Sequence, residues 1–148
     1  MADRKNYNPQ MHTTEHILNQ TMVRMFDKGR SFSAHIEKKK SKCDYHFDRD
    51  LTDEEKVTIE NRVKEIVSQS LPVTESFMTL NEAEKQFNME KLPEGAGENI
   101  RIIKVGDYDA CPCIGEHVSN TKEIGEFKII SSGFITEKNV LRIRFKLI

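Results

Sequence analysis

The segment that begins at Val140 constrains the fold more than any other. Leu141, Ile143, Phe145 and Leu147 alternate with Arg142, Arg144 and Lys146. Successive side chains of a strand point to opposite faces, so this segment reads as a strand with one apolar and one cationic face. The apolar face needs a cover, and the chain supplies amphipathic helices to provide it. From residue 11 to about 28, Ile17, Leu18, Met22, Met25 and Phe26 share one helical face, with Gly29 as the expected stop. Thr52 and Glu55 have the spacing of a capping box, and Ile59, Val63, Ile66 and Val67 give the following helix a buried stripe that Pro72 ends. Strands are expected at residues 33–36 and 43–47, around a lysine-rich connection, and again at 73–78 and 100–105. A short helix is expected from 81 to about 87, a loop at 93–97, and a turn at Gly106-Asp107. Helices and strands intermix without a βαβ repeat. The predicted class is therefore α+β, a sandwich of antiparallel or mixed sheet with packed helices.

At 148 residues the chain has the length of a single domain, spanning residues 1–148, and no internal repeat divides it. Its 23 Lys+Arg against 24 Asp+Glu leave a net charge of −1. That balance excludes a histone-like binder, and any polyanion must meet a local basic patch. No window approaches the ~18 consecutive apolar residues of a membrane span, and the polar start Met1-Ala2-Asp3-Arg4-Lys5-Asn6 lacks a signal peptide's apolar stretch. A cytoplasmic protein without membrane contact is expected. Three cysteines, Cys43, Cys111 and Cys113, are an odd number, which favours metal binding or chemistry over a disulfide framework.

His12 and His16 stand at i and i+4, which stacks two imidazoles on one helical face where their nitrogens can converge on a cation. The same spacing also fits two surface or capping histidines. Cys113 and His117 form a second pair, and thiolate with imidazole suits a borderline-soft ion such as zinc better than magnesium or calcium. Gly115 between them and Pro112 just before suggest a tight bend that closes on a metal.

These residues also resemble a known family. His12-Thr13-Thr14-Glu15-His16 resembles the HxxxH motif, and Cys113-Ile114-Gly115-Glu116-His117-Val118 the CxxxHV motif, of the editing domain shared by alanyl- and threonyl-tRNA synthetases and by free-standing AlaX proteins. The run from Ser119 to Ile129 is similar to the family's T-x-E-I-G-x-F-K-I continuation, and Leu71-Pro72-Val73 with Ser76 to Glu84 resembles the segment between the motifs. The resemblance implies a short AlaX-type protein. It would carry one zinc per chain on His12, His16, Cys113 and His117, and would hydrolyse the ester of mischarged tRNA for alanine, in its seryl or glycyl form.

Two positions depart from the family's usual Cys-Gly-Gly-Thr-His: Ile114 replaces a glycine and Glu116 a threonine. Glu116 and Glu15, each next to a ligand, are candidate catalytic carboxylates for accepting a proton from water or pairing with the substrate's ammonium group. Two alternatives stand beside the hydrolase. One is a non-catalytic, zinc-stabilised tRNA-binding domain. The other is a zinc enzyme using the inverted-zincin pattern His-x-x-Glu-His. For tRNA phosphates the candidates are Lys38, Lys39, Lys40 and Lys42 at the hairpin and Arg142 and Arg144 on the last strand, residues that also suit ordinary solvation of a sheet edge. Cys111 is expected to be a small buried residue, and His35 and His46 to be structural or superficial.

Overall fold

A computed structural model of the chain describes residues 8–87 and 99–148. The loop expected at 93–97 lies outside the described residues. Helix α1 (Pro9–Phe26) starts two residues earlier than the apolar stripe suggests. The Asn8 side chain accepts from the Met11 amide, and Pro9 occupies a first-turn position where no amide donor is needed. The helix ends at Asp27, whose left-handed backbone (φ 55°) lets its amide close on the Val23 carbonyl, two residues before Gly29.

The strands β1 (Ser33–His35) and β2 (Ser41–His46) form the expected hairpin, with Ala34 opposite Cys43. Helix α2 (Asp53–Ser68) opens with both halves of the capping box between Thr52 and Glu55. Then come β3 (Val73–Thr79), α3 (Leu80–Gln86), β4 (Asn99–Val105), β5 (Asp109–Pro112), a 3-10 turn (Thr121–Glu123), β6 (Phe127–Ile135) and β7 (Val140–Leu147). Among the described residues every strand pairing is antiparallel. One sheet has four strands in the order β1-β2-β7-β6 and the other three in the order β3-β4-β5. The class is α+β, as expected from the sequence.

The predicted alternation of β7 decides where the core sits. Leu141, Ile143 and Phe145, with Cys43 and Tyr45 of the neighbouring β2, are buried against Met11, Ile17, Leu18 and Met22 of α1 and Ile59, Val63 and Ile66 of α2. Burying each such large apolar side chain contributes about 1.5–3 kcal/mol. Two buried polar groups inside this layer share one acceptor. The Tyr45 hydroxyl donates to Asn19 Oδ1 at 2.8 Å, and the Ser31 amide donates to the same oxygen at 3.2 Å, tying α1 to the sheet.

The three-stranded sheet meets α1 through one face of its inner strands. Val105 pairs with Asp109 and Ile103 with Cys111, so Asp109 and Cys111 share the face that carries Val105 into the main core. On the opposite face, Ile100 and Ile102 form a smaller cluster with Ala83 of α3. Helix α1 is thus enclosed over most of its length, which brings its polar N-terminal half against β5 and the loop that follows.

Candidate metal centre

Helical spacing places His12 and His16 one turn apart on the buried face of α1, 6% and 4% exposed. Cys113 and His117 come from the irregular segment after β5. One donor atom from each of His12, His16, Cys113 and His117 lies within 4.8 Å of every other. The Cys113 sulfur is 3.4 Å from Nε2 of His12 and 3.4 Å from Nε2 of His117. With Zn–S near 2.3 Å and Zn–N near 2.05 Å, the sulfur-to-nitrogen edge of a zinc tetrahedron is about 3.5 Å, so these separations suit that ion. The rings pack closely, His12 stacked on His117 with centroids 4.3 Å apart and His16 edge-on to both.

The outer nitrogens of two rings are hydrogen-bonded, and that of His16 faces a carboxylate. His12 Nδ1 donates to the Glu116 carbonyl at 3.2 Å, His117 Nδ1 lies 2.9 Å from the Thr13 hydroxyl, and His16 Nδ1 is 3.3 Å from Asp109 Oδ2. His12 and His117 therefore turn Nε2 towards Cys113. Burial opposes ionisation of the Cys113 thiol, but contacts from His117, His12 and His16 outweigh it and hold it at about 2. Burial likewise disfavours a charged His16, yet Asp109 and Cys113 raise it to about 10, while burial leads the lowering of His117 to about 4. A thiolate and a set of imidazoles are the donor chemistry that zinc takes. Cation binding here releases protons, so acid opposes it.

Several residues that hold this arrangement carry no motif in the sequence. Thr13 also accepts from the Val118 amide at 3.2 Å, joining α1 to the loop. Arg101 on β4 donates to the carbonyls of Cys113 (3.1 Å) and Gly115 (2.8 Å) and pairs with Glu75 at 2.6 Å, which pins the bend. Gly115 is buried where a side chain would enter the His12 ring.

The other predicted residues are spread more widely. Glu15 is 9% exposed, and its Oε1 lies 3.7 Å from His12 Nε2, the nitrogen that faces the centre. Glu116 is exposed, and it is its carbonyl that meets His12. Cys111 is half-buried beside the site and Cys43 is fully buried in the core. Lys38, Lys39 and Lys40 are exposed in the β1–β2 turn. Lys42 and Arg144 are cross-strand neighbours on the outer face of the four-stranded sheet, the face away from α1. Arg142, on that same face, is held by both oxygens of Asp44 at 2.8 and 2.9 Å. His35 contacts Glu37 at the surface and His46 stacks on Phe32. Among the described residues no helix is long and apolar enough to cross a membrane.

A family model described as the threonyl and alanyl tRNA synthetase second additional domain matches residues 100–144, the stretch that supplies Cys113 and His117. The alanine–tRNA ligase of Methanopyrus kandleri is 34% identical over 137 residues, which cover 90% of this chain and 15% of that protein. That of Fervidobacterium nodosum is 32% identical over 126 residues, 84% of this chain and 14% of the ligase. The ligase of Halalkalibacterium halodurans is 34% identical over 125 residues, again 84% and 14%. The chain spans only about one seventh of the length of these relatives. His12 and His16, on α1, lie outside the matched 100–144 stretch, and most of the chain is similar to a segment of the alanine–tRNA ligases, so its likeness is to the threonyl and alanyl tRNA synthetase second additional domain and to the ligases that resemble it.

Proposed function

We propose that the chain is a zinc-containing aminoacyl-tRNA deacylase that removes a wrongly attached small amino acid, serine or glycine, from tRNA for alanine. The observation that carries this reading is the convergence of His12, His16, Cys113 and His117 in a chain related over most of its length to alanine–tRNA ligases. Hydrolysis adds water across the ester, freeing the amino acid and restoring the hydroxyl of the terminal ribose. Bound zinc would supply Lewis-acid polarisation at this position. Glu15 would accept the proton of the attacking water, the role of the glutamate in the inverted-zincin pattern; its burial and its nearness to His12 support this reading. Glu116, exposed between the two ligands of the loop, is assigned to the substrate's ammonium group.

A second reading, a zinc-stabilised tRNA-binding domain without activity, is favoured by the ligand count. Four protein donors fill a tetrahedron, whereas a Lewis-acid site needs an open position. The deciding measurement is deacylation of seryl-, glycyl- and alanyl-tRNA for alanine, with and without a chelator, alongside zinc content and melting temperature. The hydrolase predicts turnover of the seryl or glycyl ester that chelation abolishes. Zinc in the protein with no turnover of any ester would leave the binding domain, and chelation would then lower only the melting temperature and tRNA affinity.

A further inference from the structure

Asp109 opens β5 with its side chain completely enclosed, and no motif accounts for it. Its Oδ1 accepts from Arg30 Nη1 at 2.6 Å and from Gln20 Nε2 at 2.8 Å. Its Oδ2 accepts from Arg30 Nη2 at 3.2 Å. A carboxylate has about four lone-pair sites and, once ionised, can only accept. Three of them are taken by these donors, and the remaining one, on Oδ2, lies 3.3 Å from His16 Nδ1. That nitrogen is buried, and the contact is longer and less aligned than a closed hydrogen bond. The guanidinium fork keeps the carboxylate charged inside the protein, and it comes from the segment between α1 and β1, whereas Gln20 comes from α1 itself. Three segments therefore aim one oxygen at the back of one ligand ring.

We propose that Asp109, clamped by Arg30 and Gln20, is the positioning residue of the metal centre: it fixes the His16 ring and its tautomer, with the proton on Nδ1, so that Nε2 serves as ligand. The inference rests on the metal reading of the preceding subsection. An acceptor-only group behind the ring leaves His16 no choice of tautomer, and a charged acceptor also makes the ligating nitrogen more basic. Arg30 acts through Asp109, as the partner without which a buried carboxylate would have to take up a proton.

The test is zinc affinity by chelator competition, with the absorption spectrum of the cobalt-substituted protein as a second readout. It compares the parent with Asp109→Asn, Arg30→Gln and the double variant. Asp109→Asn should lose about 10–100-fold in affinity and change the cobalt spectrum. Because it leaves the half-buried Arg30 without its partner, part of its effect comes through folding, and the double variant removes both charges and with them that ambiguity. The double variant should melt close to the parent when both are metal-free, yet still bind zinc at least about tenfold more weakly. Parent-like zinc affinity in the double variant would overturn the assignment. If the variants do not fold, nitrogen NMR of the zinc-loaded parent decides: His16 bound through Nε2 and protonated at Nδ1 is expected, and binding through Nδ1 overturns it. A parent that takes up no zinc overturns the metal reading itself, a result distinct from either of these.

Discussion

A methyl group on Gly115 would sit 2.1 Å from Cε1 of His12 and 2.4 Å from its Nδ1, closer than side-chain carbons approach one another. Glycine at this position is therefore a requirement of the neighbouring ligand. Gly115→Ala should push the His12 ring from the centre and weaken zinc binding by at least about tenfold, or about 1.4 kcal/mol. Chelator competition measures it, and unchanged affinity would show that the loop shifts to make room. Nothing local in the sequence announces this role, because the contact is with a residue from the far end of the chain. The ligands themselves are legible as two spaced pairs. Their supports, Thr13, Arg101 and Asp109, are not, since each acts through tertiary contacts. The two glutamates beside the ligands look equivalent in the sequence and differ in burial. Glu15→Gln, at a site 9% exposed, should lower kcat by about 10²-fold or more with zinc content intact. Glu116→Gln, at an exposed site, should raise KM and leave kcat near the parent value. Parent-like kinetics in both variants would remove carboxylates from the mechanism.

Helix α2 shows how an element's end can report on pH. The Glu55 carboxylate accepts from the Thr52 amide at 2.9 Å and from both terminal nitrogens of Arg49 at 2.8 and 2.9 Å. The Arg49 contact, followed by the Thr52 amide, lowers its pKa from 4.5 to about 2. A group more acidic when folded than unfolded stabilises the fold above its unfolded value, and that contribution is lost as pH falls from about 4.5 towards 2. Glu55→Gln keeps a capping acceptor but cannot titrate. The difference in melting temperature between parent and variant should therefore be largest near neutrality and shrink through this acid window, more weakly at high salt because the pair is near the surface. A difference independent of pH would assign the stability to shape alone. The capping box was legible because it is local, and so was β7, whose alternation is unbroken. Strand β6 was not. A register shift between Ile129 and Ser131 places exposed Ile130 between phases of the pleat, and Gly133 follows, so no single period runs through Phe127–Ile135. The β1–β2 hairpin followed from two short apolar runs around a polar turn, but its register did not: β2 begins at Ser41, inside the expected turn, and Ala34 rather than Ile36 stands opposite Cys43.

Over the whole molecule the charges nearly cancel, so attraction to tRNA has to come from where cations collect. The structure separates two such places. Lys38, Lys39 and Lys40 stand free of the core at the β1–β2 turn, and Lys42 continues from them to Arg144 across the outer face of the four-stranded sheet. Arg142 on the same face is already neutralised by Asp44, whose own pKa is lowered chiefly by that hydrogen-bonded pairing. The candidate metal centre is built from α1 and the segment after β5, and α1 packs on the opposite face of this sheet. In the proposed reading, a tRNA whose aminoacylated end enters the centre would meet the lysines with its backbone, where contacts are to phosphates and carry no sequence information. Each phosphate contact releases counterions and contributes about −0.9 to the slope of log affinity against log salt for a duplex. Neutralising Lys38, Lys39, Lys40 and Lys42 together should flatten the slope by up to about 3.6 if all four make contact, and weaken binding at low salt most. Arg142→Gln should leave the slope almost unchanged, because its charge is spent on Asp44. If the lysine variant keeps the parent slope, the hairpin is outside the interface, and Arg144 on the sheet face becomes the cation to neutralise next.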